Sequence, residues 1–245
     1  MGENIVLVTM VDDGFLPGYV AFMKSLLHHN EWFNCPVLII DNGLSDESKN
    51  TIYKLYKPVS FRKPSVAKYS KIDKNSTTKE LQATYFKLDI FSYVEFDRIV
   101  FIDSDVLVLG DIQELFTFND GDMGACPVYG KNSDSLGGII NSGIMVLRKP
   151  VINNETYQSL LKEACKGHSM PDQKTINNVL GPRIVRLPKK YNMEKRMYHS
   201  KQYDWREAAI LHFVSHKPWY PHAPKLGKDK GFEEMEKLWR YWYGR

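Results

Sequence analysis

Arg98 is followed by an apolar run, Ile99-Val100-Phe101-Ile102, that leads straight into Asp103-Ser104-Asp105 before Val106-Leu107-Val108 resumes it. Two carboxylates delivered at i and i+2 by an apolar strand are expensive to desolvate unless something pairs with them. The residue types point to a cation. Paired hard oxygen donors suit Mg²⁺ or Mn²⁺, ions that keep coordination positions open for a substrate diphosphate. The bland alternative is a pair of turn aspartates capping a helix at 112–116, a role that falls more naturally to Asp111. A calcium EF-hand is excluded, because the stretch lacks the third Asp or Asn and the Gly at the required offsets. Two further positions carry chemistry by their placement. Pro171 at a first helical position with Asp172 next puts a carboxylate at a helix N-terminus, where the dipole favours its ionised form. His212 sits on an apolar run, Ile210-Leu211-His212-Phe213, and taken alone reads as a satisfied core histidine.

The elements that must position these groups follow from hydrophobic period. Ile5–Val11 and Pro36–Ile40 are apolar, β-branched runs, each stopped by Asp/Gly-rich turns, and read as fully buried strands. A helical pattern starts at Pro17 and runs through Leu27; another, capped by Ser45, runs to Tyr56. Strand, helix, strand, helix with apolar strands predicts an α/β fold, a mostly parallel sheet with helices on both faces. In such sheets ligands bind at the carboxyl ends of the strands, where Asp103 and Asp105 fall. Residues 63–76 read as a polar, exposed excursion, and a helix is expected from Thr77 or Thr78 to about Tyr93. Further strands are expected over 123–128, 142–147 and 209–214, with a Gly/Ser-rich loop before Asn141 and helices near 154–166 and 171–180. The C-terminal stretch places Phe232, Met235, Leu238, Trp239 and Trp242 at helical spacing, an amphipathic face for the core or for a partner subunit, which leaves a homodimer open.

With 245 residues, no repeat and no linker composition, the chain reads as one domain, 1–245. The start, Met1-Gly2-Glu3-Asn4, is acidic and is no secretory n-region, and no apolar run approaches the roughly 18 residues of a membrane span. The expectation is a cytoplasmic protein without a transmembrane segment. Cys35, Cys126 and Cys165 form no CxxC pair and read as buried free thiols. The net charge of +4, from 33 Lys and Arg against 29 Asp and Glu, is too small to argue for nucleic acid and equally suits an anionic small substrate. The basic segment with Arg186, Lys189, Lys190, Lys195, Arg196 and Lys201, interleaved with Tyr191 and Tyr198, reads as a solvated face or lid rather than a nucleic-acid surface.

"FIDSDVLVLGDIQELF" (101–116) resembles the DxD strand of the retaining GT-A glycosyltransferases of family 8, the glycogenin-like group. The likeness continues in chain order through "VLVTMVDDGFLPGYVAFMKSL" (6–26), "TYFKLDIF" (84–91), "INSGIMVLRKP" (140–150), "PDQKTINNVL" (171–180), "LPKKYN" (187–192) and "ILHFVSHKPW" (210–219). The resemblance implies a Rossmann-like GT-A domain that moves a sugar from a UDP-sugar to a glycan, protein or small-molecule hydroxyl, with retention and with Mn²⁺ or Mg²⁺. It implies Asp103, Asp105 and His212 as metal ligands, with Ser104 between the carboxylates. It assigns Lys217 to the donor diphosphate, Lys87 to the donor site, and Thr9, Val11, Asp12 and Phe15 to the nucleotide, Phe15 stacking on the base. Asn141 and Ser142 are implied around the sugar, and Asp172 and Gln173 as the groups that stabilise it during transfer. Asp172 is also the residue through which a double displacement would run. Two departures stand out. One residue is missing between His-Phe and Lys-Pro-Trp and Ser215 replaces the family's glycine, which implies an altered phosphate loop. No carboxylate follows 123–128, which implies a sugar pocket unlike the glucose type.

Two other readings compete. A non-catalytic nucleotide-sugar or glycan-binding module would not need Asp103, Asp105 and His212 together. A glycogenin-like self-glycosylating primer would use a tyrosine such as Tyr198, six residues after Asn192.

Overall fold

Val6 and Val8 of the first strand pack on one side of a sheet and Leu7 and Val11 on the other, which is the period-2 alternation of a strand covered on both faces. The computed structural model describes residues 2–69, 72, 83–130, 133–168, 170–195, 197, 204–220 and 230–245. Strands β1 (Ile5–Val11), β2 (Val37–Asp41), β3 (Val59–Arg62), β4 (Arg98–Ile102), β6 (Met123–Gly130), β7 (Ser133–Arg148) and β8 (Ile184–Arg186) form one sheet in the order β3-β2-β1-β4-β7-β6-β8. The β3-β2-β1-β4 half is parallel, β7 runs antiparallel to both β4 and β6, and β8 is parallel to β6. A second, three-stranded sheet joins β5 (Val106–Val108), β10 (Ile210–His212) and β9 (Met193–Glu194), in the order β5-β10-β9.

Helix α1 (Leu16–His29), with Pro17 in its first turn, lays Tyr19, Phe22, Met23 and Leu26 on one face of the large sheet. Helix α2 (Asp46–Leu55) starts where Ser45 Oγ accepts from the Ser48 amide at 3.2 Å, and buries Ile52 on the same face. The opposite face is covered by Leu88, Ile90 and Phe91 and by the helices Asn154–Ala164 and Pro171–Leu180, through Tyr157, Leu160 and Ile176. The Lys230–Gly244 helix turns Met235, Trp239 and Trp242 inward. It packs on α1, with the Trp242 ring 5.0 Å from His28 and 5.4 Å from His29, so Met235, Trp239 and Trp242 are covered within the chain.

Several expectations need correction. The stretch before Asn141 is not a loop from end to end: residues 133–140 already belong to β7, a 16-residue strand. The 63–76 excursion is preceded by an edge strand, β3, and contains a short helix, Val66–Tyr69, whose Tyr69 is buried. The helix expected up to Tyr93 is, in its described part, a tight 3₁₀ segment, Tyr85–Ser92, and its start at 77 or 78 lies outside the described residues. Of the thiols, only Cys126 is buried; Cys35 is half-buried and Cys165 exposed. Among the described residues no helix is long and apolar enough to cross a membrane.

Candidate functional site

The aspartate pair sits at the seam between the two sheets. Ile102 is the last residue of β4 in register with β7, opposite Ile144, and the next amide, Asp103 N, donates to Gly143 O at 2.8 Å. The chain then leaves the large sheet and enters the small one as β5, where Val106 lies opposite His212 and Phe213 N donates to Asp105 O at 2.9 Å. Ser104 ties the crossing to the first strand by donating from Oγ to Met10 O at 3.0 Å. The break is therefore fixed by strands on three sides.

That placement brings the implied ligands together. Oxygen atoms of Asp103 and Asp105 and a ring nitrogen of His212 all lie within 4.8 Å of one another. His212 Nε2 is 3.2 Å from Asp105 Oδ1 and 3.8 Å from Asp103 Oδ2. Its other nitrogen, Nδ1, donates to Asn192 Oδ1 at 2.7 Å, which fixes the ring with Nε2 facing the carboxylates. Two carboxylates and an imidazole form an N/O donor set that fits Mn²⁺.

The charges around the pair are balanced by lysines. Lys87 Nζ lies 3.0 Å from Asp103 and 3.4 Å from Asp172, and Lys217 Nζ contacts Asp105 and also donates to Phe213 O at 2.9 Å. Burial opposes ionisation of Asp105, but His212 and Lys217 hold its carboxyl well below the usual range. Burial pushes Asp103 the other way, above the ordinary carboxylate value, with Lys87 pulling against it. Lys87 is only 6% exposed, and its aspartate neighbours hold its ammonium charged against the effect of burial. Its 3₁₀ segment is anchored by Asp89, whose carboxylate accepts from Tyr69 and Tyr157 hydroxyls at 2.8 and 2.6 Å and from Ser65 N at 2.7 Å.

Two cavities meet here. One, of about 580 Å³, is walled by Met10, Asp12, Phe15, Asn42, Thr84 and Phe86 and reaches Asp103, Ser104 and Asp105. The other, of about 480 Å³, lies beyond the pair against Val128, Ile139, Asn141, Ser142, Met170, Asp172 and Gln173. Thr84, Lys87, Asp103, Asp105 and Lys217 border both. Phe15 stands at the mouth of the first, edge-on to Trp219 at 5.8 Å and with Lys217 Nζ 5.6 Å from its ring centre. Asp12 accepts from Phe15 N at 2.9 Å and so shapes the turn that carries the ring. Thr9 and Val11 are buried in β1 on either side of Met10 and do not reach the wall. In the second cavity Ser142 Oγ donates to Asp172, while Asn141 Oδ1 accepts from Gly143 N at 2.8 Å and its amide donates to Glu194 at 3.1 Å.

Sequence reasoning did not single out Asn42, Asn192 or Glu194. Asn192 closes the Leu-Pro-x-x-Tyr-Asn turn, a visible signal; Asn42 and Glu194 carry none that separates them from surface polar residues. Arg196, Lys201 and Tyr198 lie outside the described residues. Of the remaining basic candidates, Arg186 donates to Gly138 O and Lys190 lies 3.6 Å from Glu114, so both serve local contacts.

A half-parallel sheet with a second small sheet across its carboxyl end, and an acid pair at the seam, is the GT-A fold. In fold the chain is similar to the galactosyltransferase LgtC crystallised with donor and acceptor sugar analogs (TM-score 0.75, 16% identity, 98% of this chain and 95% of that one). It is also similar to the glycosyltransferase GlyE of Streptococcus pneumoniae (TM-score 0.70, 20% identity, 99% and 60%). The family described as Glycosyl transferase family 8 matches over residues 6–223, and the chain belongs to that family. Among curated relatives it is 25% identical over 255 residues to glycogenin of Neurospora crassa (100% of this chain, 35% of the relative). It is 32% identical over 173 residues to glycogenin-1 of Caenorhabditis elegans (65% and 38%). The chain thus spans a little over a third of the length of those relatives.

Proposed function

We propose that residues 1–245 act as one catalytic domain that transfers a sugar from a UDP-sugar to a hydroxyl of a glycan, protein or small-molecule acceptor, with retention at the anomeric carbon. The observation that carries this reading is the Asp103–Asp105–His212 cluster, flanked by Lys87 and Lys217, on the border of two cavities. Those three side chains would hold Mn²⁺ or Mg²⁺, which supplies Lewis-acid stabilisation of diphosphate charge. The uracil would lie in the cavity at Phe15, whose ring offers a stacking face, and the sugar in the cavity lined by Asn141, Ser142, Asp172 and Gln173.

The residues' own work follows from their charges. Lys217, in contact with Asp105 and on the border of both cavities, would donate a hydrogen bond to the departing UDP oxygen, where preorganised charge is worth most. Lys87 ties Asp103 to Asp172 and so fixes the sugar-side carboxylate relative to the donor. Asp172 accepts from Ser142 and faces Lys87. Both contacts tame its lone pairs, which favours electrostatic support of a cationic sugar over attack as a nucleophile. Same-face attack by the acceptor, its proton taken by the leaving phosphate, is the matching route. The cytoplasmic placement belongs to this proposal and is supported by the three unpaired thiols.

The test is UDP release from a panel of UDP-sugars with Mn²⁺. The wild type is expected to hydrolyse or transfer from at least one of them, and Asp103→Ala and Asp105→Ala to lose about a hundredfold or more of that rate. Turnover that survives both substitutions, or that is equal in EDTA, would contradict the reading.

A further inference from the structure

Among the described residues Ser215 is the one non-glycine position in the left-handed backbone region, at φ 65°. A β-carbon makes that conformation unfavourable, so surrounding contacts must impose it. The neighbours show which contacts. The carbonyl of His216, the next residue, accepts a hydrogen bond from Lys195 Nζ. Lys217, one residue further, returns its ammonium to Phe213 O and to Asp105. The turn is therefore gripped on its near side by its own lysine and on its far side by Lys195.

The two sides share a base. Lys195 directly follows β9, and β9 pairs with β10 at Leu211 and His212, immediately before the turn. Clamp and turn thus leave adjacent strands of the small sheet, and a shift of one is felt by the other. Lys195 is half-buried, and burial followed by the like charge of Lys217 lowers its pKa to about 8, while Glu236 of the C-terminal helix and Asp105 pull the other way. An ammonium kept beside another ammonium in partial burial is an unfavourable placement that the carbonyl contact offsets.

We propose that Lys195 is a positioning residue for the donor site: its hydrogen bond to the His216 carbonyl holds the left-handed turn at Ser215 and thereby sets Lys217 against the diphosphate. This rests on the reading of Lys217 as a donor-phosphate ligand. Lys195 itself does not touch the substrate.

Lys195→Met keeps an unbranched stem as far as the ε position and removes the donor; Ser215→Gly removes the backbone penalty and makes the clamp dispensable. The first measurement, hydrogen exchange of the 213–219 amides in ligand-free protein, needs no substrate. Exchange is expected to speed up about tenfold or more there in Lys195→Met, with β1 and β4 unchanged. The second is UDP affinity with Mn²⁺, expected to fall about tenfold in Lys195→Met and to recover most of that loss in the Lys195→Met/Ser215→Gly double variant. Unchanged exchange at 213–219 overturns the proposal, as does a loss of affinity that Ser215→Gly leaves untouched. Failure of the wild type to bind UDP would instead count against the donor-site reading, and the ligand-free exchange result separates the two.

Discussion

A β-carbon at Gly143 would lie 2.3 Å from Cε1 and 2.9 Å from Nδ1 of His212, so the imidazole can occupy its place only because that side chain is missing. Asn192 then fixes the ring's rotation through Nδ1. The candidate metal cluster thus depends on a glycine and an amide as well as on its three side chains. Asn192→Leu and Gly143→Ala are each expected to weaken Mn²⁺ binding by about 10–100-fold, measured by titration of free Mn²⁺. Wild-type affinity in both would show that ring orientation is not limiting. At this scale the sequence was a partial guide. Asp103 and Asp105 were legible because acids at the end of an apolar run have no cheap structural use. Lys87 was not legible from its own residue type: a lysine on a helical pattern reads as solvated, and only the fold shows it buried between Asp103 and Asp172.

At the level of elements, the end of β2 shows how a turn is made to serve the cavity at Phe15. Asp41 accepts from the amides of Gly43 and Leu44 at 3.0 and 2.8 Å and faces Lys49 and Lys63, each at 3.0 Å. This holds Asn42 on the cavity wall. Burial opposes the charge on Asp41, but the Leu44 and Gly43 amides and the two lysines hold its carboxyl well below its ordinary 3.8. A carboxyl depressed on folding contributes stability above that ordinary value and loses it as pH falls below it. Asp41→Asn is therefore expected to lose about 1–3 kcal/mol in urea unfolding at neutral pH. The deficit should shrink as the pH is taken below 3.8, where the unfolded chain's carboxyl takes up a proton while the folded one is still ionised. An equal deficit at neutral and acid pH would contradict the assignment. The element pattern was legible wherever β-branched residues ran together, as in β1, β2 and β4. It failed for residues 133–140, whose Gly and Ser read as loop although their backbone pairs with β6, because pairing partners far along the chain are invisible to a local pattern.

For the molecule as a whole, the important feature is that two sheets end at one place. The large sheet supplies Asn141 and Ser142, the small sheet His212, and the segment between β4 and β5 supplies Asp103 and Asp105. The parallel half of the large sheet could be expected from the alternation of strands and helices. Of the small sheet only β10 was legible, within the strand expected over 209–214; β5 and β9, of three and two residues, have no period to read. The small sheet's existence is what carries His212 from an ordinary core position to the carboxylates. Because the cavities share their border at the acid pair, donor binding and cation binding should be one event rather than two. The most direct test is calorimetric titration of UDP into the protein with Mn²⁺ and again in EDTA, for the wild type and for Asp103→Asn/Asp105→Asn. The account predicts heat of binding only for the wild type with Mn²⁺. Equal UDP affinity in the double variant, or in EDTA, would contradict it.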